Sequence, residues 1–135
     1  MRLSVVIPVY NGEATIAACL GSIVSQDTPF DFEVIVADSS EDGTRAIVES
    51  QFPQVRLLRL SGRAYPGTAR NAAIREARAD LLAMIDADCI ADPDLLSRLV
   101  EAHDTTDYAA IGGAICDGTP NSASGTIGYL LEFRE

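Results

Sequence analysis

The sequence contains no lysine, one histidine and only three cysteines among its 135 residues. Nucleic acids are bound through clustered basic residues, and the ten arginines scattered along this chain of net charge −10 form no such cluster. An odd number of cysteines without metal-ligand spacing indicates reduced thiols rather than a disulfide framework. No apolar run approaches the ~20 residues of a membrane span, so no span is predicted within the chain. These absences exclude nucleic acid as a partner, and an anionic ligand would need a cation as intermediary.

Two phosphate-binding signatures are also missing after the first strand-like segment. A dinucleotide enzyme would carry G-x-G-x-x-G there, and a P-loop enzyme would carry G-x-x-x-x-G-K-[ST]. The chain has Pro8-Val9-Tyr10-Asn11-Gly12 instead. Dehydrogenase and P-loop functions are therefore disfavoured.

What the chain does contain is an alternation of strand-like and helix-like segments. With 47% hydrophobic and 22% charged residues, its length suits one globular domain with a core. The predicted strands are 3–9, 33–38, 55–60, 81–85 and 108–115, and the predicted helices are 13–24, 43–51, 67–79 and one beginning at Asp92-Pro93. This order predicts an α/β fold, a mostly parallel sheet with helices on both faces.

Two of the predicted strands end in carboxylates. Glu33-Val34-Ile35-Val36-Ala37 leads into Asp38, and Leu81-Leu82-Ala83-Met84-Ile85 leads into Asp86-Ala87-Asp88. Ligands of parallel sheets bind beyond the carboxyl ends of the strands, where these residues and Tyr10 should meet. Carboxylate oxygens suit a hard divalent cation, and such a cation can hold a diphosphate.

The polar and aromatic residues that could contact a ligand also have purely structural interpretations. Asp38 and Asp42 suit turns, Asp86 and Asp88 could cap the turn that follows, Arg70 could be an exposed helix residue, and Tyr10 could simply be packed. Asp92 is interpreted as a helix N-cap, with Pro93 at the first helical position. Cys19 falls on a predicted buried helix face and is interpreted as a core residue.

The first part of the chain resembles family 2 glycosyltransferases of the GT-A fold. The matching segments are Val5-Val6-Ile7-Pro8-Val9-Tyr10-Asn11, Val34-Ile35-Val36-Ala37-Asp38-Ser39-Ser40-Glu41-Asp42-Gly43-Thr44, Gly67-Thr68-Ala69-Arg70-Asn71 and Asp86-Ala87-Asp88. Each motif is weak alone, but the four in the family's order are specific. The resemblance implies a Rossmann-like, nucleotide-diphospho-sugar transferase fold.

The resemblance also implies roles for the residues at matching positions. Pro8, Val9 and Tyr10 would form the base pocket, with Tyr10 packed on the nucleobase. Asp38 would accept a hydrogen bond from the base, and Arg70 would contact the nucleotide and offset part of its charge.

The metal site follows from the same resemblance. Asp86 would face the ribose and the metal-bound waters, and Asp88 would ligate Mg²⁺ or Mn²⁺ directly, with donor phosphate oxygens completing the shell. The implied reaction is an inverting, metal-dependent transfer from a nucleotide-diphosphate sugar to a hydroxyl of a saccharide, lipid or other acceptor, as in cell-envelope or polysaccharide biosynthesis.

The family's general base lies well beyond the Asp86-Ala87-Asp88 strand, so we expect it beyond Glu135. Residues 1–135 are then a single donor-binding domain, truncated on its acceptor side. We expect a cytoplasmic location and leave open attachment to the inner face of the membrane through a further segment. Two alternatives remain: a nucleotidyltransferase, which should carry a basic Gly-rich loop near its first strand, and a non-catalytic nucleotide-sugar-binding module.

Overall fold

The structure, a computed structural model, describes residues 1–119 and 121–132. The chain divides into two compact units, Met1–Ser97 and Arg98–Glu135. The elements found in the described residues are β1 (Leu3–Val9), α1 (Ile16–Val24), β2 (Phe32–Asp38), α2 (Thr44–Gln51), β3 (Arg56–Arg59), α3 (Pro66–Glu76), β4 (Leu81–Met84), α4 (Leu95–Asp104) and α5 (Ala123–Glu132). No helix in this described part is long and apolar enough to cross a membrane.

The four strands form one parallel sheet in the order β3-β2-β1-β4. The chain moves outward from β1 through β2 to β3 and then returns to the other side of β1 to form β4. The strand order therefore reverses between β1 and β4, and ligands of open α/β sheets bind at such a switch point, outside the carboxyl ends. The predicted α/β fold with a parallel sheet is confirmed.

Both faces of the central strands are covered. Every residue of β1 is buried, and so are the last five of β2. Because alternate strand residues point to opposite faces, burial of the whole strand requires packing on both sides. On one face Val6 and Ile35 pack with Ala69 and Ala73 of α3. The small alanine side chains let α3, the helix that carries Arg70, lie close to the sheet.

A polar network joins the strands near their amino ends, at the end of the sheet opposite to the carboxyl ends. Glu33 accepts hydrogen bonds from the Ser4 hydroxyl (2.8 Å) and the Arg78 amide (2.7 Å) and lies 3.5 Å from the Arg56 guanidinium. The Ala79 amide donates to the Ser4 hydroxyl. Because the Arg78 and Ala79 amides are directed to these side chains, α3 ends at Glu76, three residues before the predicted end.

The start of α4 differs from the prediction. The helix begins at Leu95, so Pro93 is not its first residue and Asp92 is not its N-cap. Residues 93 and 94 form a turn in which the Leu95 amide donates to the Asp92 carbonyl at 3.1 Å. The same carbonyl accepts a hydrogen bond from Gln26 Nε2 at 2.6 Å, so this turn is fixed to the end of α1.

The predicted strand at 108–115 is wrong: residues 108–115 have no regular secondary structure. The segment contains Gly112-Gly113, and glycine weakens a strand interior because it loses more entropy and has no side chain to pack. Within the second unit, Asp117 accepts hydrogen bonds from the Thr119 amide (2.7 Å) and the Thr126 hydroxyl (2.8 Å). These bonds lower the pKa of Asp117 and hold the residues before α5 against the helix.

Candidate functional site

The loop after β1 turns sharply toward α1 at Asn11 and Gly12. Asn11 has a φ of 53°, a left-handed conformation that Asn adopts more readily than most residues. A Cβ atom on Gly12 would lie 2.6 Å from Cγ2 of Val9, so this close approach requires glycine. The Gly12 carbonyl accepts the amide N–H groups of Thr15 and Ile16 at 3.0 and 2.9 Å. Backbone geometry thus fixes where β1 ends and α1 begins.

This loop is bound to the loop after β2 by side-chain hydrogen bonds. Five bonds join them: the Asn11 amide to Ser40 Oγ (2.8 Å), the Glu41 amide to Asn11 Oδ1 (3.0 Å), the Gly12 amide to Thr44 Oγ1 (2.9 Å), the Glu13 amide to Asp42 Oδ2 (3.2 Å) and the Gly43 amide to Glu13 Oε2 (3.1 Å). Burial alone would raise the pKa of Asp42, but hydrogen bonds from Thr44 and the Glu13 amide lower it below 3.8. The motif at 40–44 therefore positions the loop that carries Tyr10.

Asp38, at the end of β2, is fully buried and already has partners. Its Oδ1 accepts the Ser40 amide at 3.0 Å, and its Oδ2 accepts Arg45 Nε at 2.8 Å and lies 2.7 Å from a terminal nitrogen of the same guanidinium. A buried carboxylate needs such a charged partner, because desolvation would otherwise disfavour its ionised form. Arg45 is a functional candidate that sequence reasoning missed.

Asp86 and Asp88 follow β4, and Arg70 approaches them from α3. An Arg70 terminal nitrogen forms an ion pair with Asp86 Oδ1. The Arg70 Nε atom is buried and has no hydrogen-bond partner among the described residues. The Asp86 side chain is 55% exposed in spite of its ion pair, and Asp88 is also exposed.

The two cysteines near these carboxylates are neutral thiols. Burial raises the pKa of Cys19 to about 12, with Cys89, Asp88 and Asp86 adding to the effect. Burial, together with Asp88 and Asp86, also raises the pKa of Cys89. Cys19 is 1% exposed, and its Sγ contacts the Asp86 carbonyl at 3.5 Å. Its prediction as a core residue is confirmed, and it supports the turn that carries Asp86.

The loop after β1, the turn after β4 and the first half of α3 meet around one open cavity of about 460 Å³ in the first unit, at the switch point of the sheet. It is lined by Pro8, Val9, Tyr10, Asn11, Gly12, Thr15, Pro66, Arg70, Asp86, Ala87 and Asp88. All the site residues predicted from the sequence lie in its wall except Asp38, which is not among the described lining residues. The strand ends carry sequence signals that point to these positions, and the fold brings them together.

A second arginine lies beside the cavity wall without a signal in the sequence. The guanidinium carbon of Arg63 lies 4.7 Å from the centre of the Tyr10 ring and 6.0 Å from that of Tyr65. Both distances fall within the ~6 Å of a cation–π contact. Arg63 belongs to the loop between β3 and α3, far from Tyr10 in sequence, so only the fold reveals this contact.

The fit of a divalent cation can be judged from the donors present. Among the described residues no cluster of three or more His, Cys, Asp or Glu groups could hold a metal by itself. Asp86 and Asp88 supply two exposed carboxylates, and Mg²⁺ is commonly held by one or two carboxylates together with substrate phosphates and water. The residues therefore fit a cation that binds together with a phosphorylated ligand.

Comparison with known proteins identifies the family. The family model described as glycosyl transferase family 2 matches residues 4–128. An uncharacterized glycosyltransferase of Bacillus subtilis, YfnE, is 39% identical over 119 residues, which are 84% of this chain and 30% of that protein. The chain thus spans under a third of this relative's length.

Solved structures show the same relationship. Staphylococcus aureus TarS 1–349 in complex with UDP-GlcNAc aligns with a TM-score of 0.70 at 27% identity, over 87% of this chain and 38% of that one. The Pyrobaculum calidifontis mannosyltransferase PcManGT, in complex with GDP-Man and Mn²⁺, aligns with a TM-score of 0.66 at 33% identity. The alignment covers 74% of this chain and 31% of that one. With its parallel sheet, its cavity at the switch point and a family match over nearly its whole length, the chain belongs to glycosyl transferase family 2.

Proposed function

We propose that this chain forms the donor-binding part of an inverting glycosyltransferase, which transfers a sugar from a nucleotide-diphosphate sugar to an acceptor hydroxyl with the help of Mg²⁺ or Mn²⁺. The observation that carries the proposal is the cavity around which Tyr10, Arg70, Asp86 and Asp88 meet. An aromatic ring, a guanidinium and two carboxylates are the groups that a base, a diphosphate and a cation require.

The nucleotide would lie along the wall that follows β1. Pro8, Val9 and Tyr10 would contact the base, with the Tyr10 ring packed on it. Arg70 would face the diphosphate, because it lines the cavity and its ion pair with Asp86 holds the guanidinium there.

The proposed hydrogen bond from the base to Asp38 requires a local movement in the structure. Its two oxygens accept hydrogen bonds from Ser40 and Arg45, and the residue has no exposed surface. A base N–H could reach it only if one of these donors moved. We keep the hydrogen bond from the base to Asp38 as a proposal, and we expect Asp38→Asn to weaken nucleotide binding with or without Mn²⁺.

Asp88 would ligate the cation directly, and Asp86 would face the ribose and the metal-bound waters. When bound, the cation would stabilise the negative charge that grows on the leaving nucleoside diphosphate. Two relatives support this part of the proposal, because TarS was solved with UDP-GlcNAc and PcManGT with GDP-Man and Mn²⁺.

Acceptor and general base are proposed only in outline. The acceptor would present a hydroxyl on a saccharide, lipid or other molecule, and an acidic side chain outside the described residues would take its proton. A relative named succinoglycan biosynthesis protein ExoO, from Rhizobium meliloti, is 38% identical over 100 residues and supports a role in polysaccharide synthesis.

The metal dependence of nucleotide binding tests this function. UDP-, GDP- and dTDP-sugars are screened by thermal shift on the intact protein, with and without Mn²⁺. A ligand at 100 times its Kd should add about 2.7 kcal/mol to the free energy of unfolding. Asp88→Asn should remove the Mn²⁺-dependent part of the shift, because it replaces a charged ligand by a neutral amide.

Asp80→Asn is the matched control, since Asp80 is an exposed aspartate just before β4 and Asp88 follows the same strand. The control should behave like the parent. If Asp88→Asn keeps the full Mn²⁺-dependent shift, the metal site is misassigned. Turnover of the donor by the intact parent separates an enzyme from a non-catalytic binding module.

A further inference from the structure

Arg63 places a positive charge beside the cavity that the roles proposed so far do not use. Its guanidinium lies over the Tyr10 ring, and Tyr10 lines the cavity. Tyr65, which contacts the same guanidinium, directly precedes Pro66, another lining residue. The Arg63 loop therefore borders the cavity on the side of Tyr10.

The charge of Arg63 differs from that of Arg70. Arg70 is paired with Asp86, so much of its charge is already compensated. For Arg63, the described part of the chain provides aromatic contacts and no carboxylate partner. In a chain of net charge −10, an arginine without a carboxylate beside a ligand cavity is available to an anion.

The position of Arg63 over the Tyr10 ring also bears on its hydrogen-bond donors. A guanidinium that rests on an aromatic ring uses its flat face, while its N–H groups point outward in the plane and stay free for an oxyanion. Two tyrosine rings restrict the side chain, which reduces the entropy lost when it binds. Such an arrangement suits the oxygens of a phosphate.

We propose that Arg63 is a donor-binding residue that contacts the diphosphate of the nucleotide sugar while its face remains on Tyr10. The inference rests on the proposed function and extends it, because it assigns a second arginine, in addition to Arg70, to recognition of the diphosphate. Arg63 then acts by charge, and Tyr10 acts as its support as well as a surface for the base.

The test uses Arg63→Gln, Arg63→Lys and the control Arg75→Gln, an exposed arginine in the last turn of α3. Binding of UDP, GDP and dTDP, with Mn²⁺ present, is measured by calorimetry on the intact protein at low and high salt. Arg63→Gln should weaken binding about tenfold at 0.05 M salt, and the loss should shrink to about threefold at 0.5 M, because exposed charges are screened by salt. Arg63→Lys keeps the charge but loses the planar guanidinium, so it should lose less affinity than Arg63→Gln and keep a salt dependence closer to that of the parent, and Arg75→Gln should match the parent.

The same melting temperature for all variants without nucleotide would show that folding is unaffected. The inference is overturned if Arg63→Gln binds like the parent. It is also overturned if its loss is the same at both salt concentrations and Arg63→Lys loses as much, since Arg63 would then act only by packing on Tyr10. If the parent binds none of UDP, GDP and dTDP under any condition, the proposed function itself fails, a result distinct from the two above.

Discussion

Asp86 and Asp88 leave carboxylate oxygens exposed at the cavity in a chain that already carries a net charge of −10. Like charges held close together repel each other, and Arg70 compensates only Asp86. The side-chain partner of Asp88 in the described residues is the Cys89 thiol at 3.8 Å, a weak contact. A cation at this point would relieve the repulsion, which is why we connect the two carboxylates with ligand binding rather than with stability.

The individual side chains show where sequence reasoning succeeds. Tyr10, Asp86 and Asp88 could be predicted because each lies within a few residues of the end of a strand, and strand ends are visible in the hydrophobic pattern. Arg45 and Arg63 could not, because their partners Asp38 and Tyr10 lie across loops whose path the pattern does not define. For the same reason the burial of Asp38 behind Arg45 was not foreseen.

The Asp38–Arg45 pair leads to a stability prediction. Arg45→Met would leave the fully buried Asp38 carboxylate with one amide donor, so we expect a loss of about 1–3 kcal/mol in the free energy of unfolding. Arg59→Met is the control, because its ion pair with Glu49 is exposed on both sides, and such pairs contribute about 0–1 kcal/mol. Urea denaturation at pH 7 measures both. Equal losses in the two variants would contradict the assigned importance of the Asp38–Arg45 pair.

The sequence predicts a strand correctly where the segment with the hydrophobic pattern also has a neighbouring strand with which it forms hydrogen bonds. The four strands of the sheet are all found within one residue of their predicted limits. Residues 108–115 have a strand-like composition but pair with no strand in the described chain. The end of α3 and the start of α4 depend on contacts with Ser4, Glu33 and Gln26, and a local pattern does not contain these distant partners.

The hydrogen bonds and ion pairs of Glu33 connect β1, β2 and α3, and they make the free energy of unfolding depend on pH. Burial alone would raise the pKa of Glu33, but hydrogen bonds from the Arg78 amide and Ser4, with the charges of Arg78 and Arg56, lower it below 4.5. A carboxylate with a depressed pKa stabilises the fold fully above its unfolded pKa, and this contribution is lost as the pH falls through the folded value. We therefore expect Glu33→Gln to destabilise the protein at pH 7 and less so as the pH falls from about 5 to 3.

Urea denaturation of parent and Glu33→Gln at several pH values measures this difference. The exposed glutamate Glu101 provides the control variant Glu101→Gln, which should follow the parent throughout. A difference between parent and Glu33→Gln that stays constant or widens toward pH 3 would show that the network does not act through the ionised carboxylate.

For the molecule as a whole, the decisive property is the strand order. The sequence predicts that the carboxyl ends of parallel strands meet at one edge, but it does not say which strands are neighbours. The order β3-β2-β1-β4 makes β1 and β4 adjacent, so the Tyr10 loop and the Asp86–Asp88 turn form one cavity. The family model matches residues 4–128, a range that includes both of these loops.

The central claim is that the carboxylates after β4 hold a cation that in turn holds a diphosphate. The direct measurement is the anomalous scattering of manganese in crystals of the protein grown with Mn²⁺ and UDP or GDP. We predict a peak at about 2.1 Å from a carboxylate oxygen of Asp88, the distance typical of hard octahedral cations, with phosphate oxygens on its other side. A manganese peak elsewhere, or bound nucleotide without manganese beside Asp88, would contradict the claim.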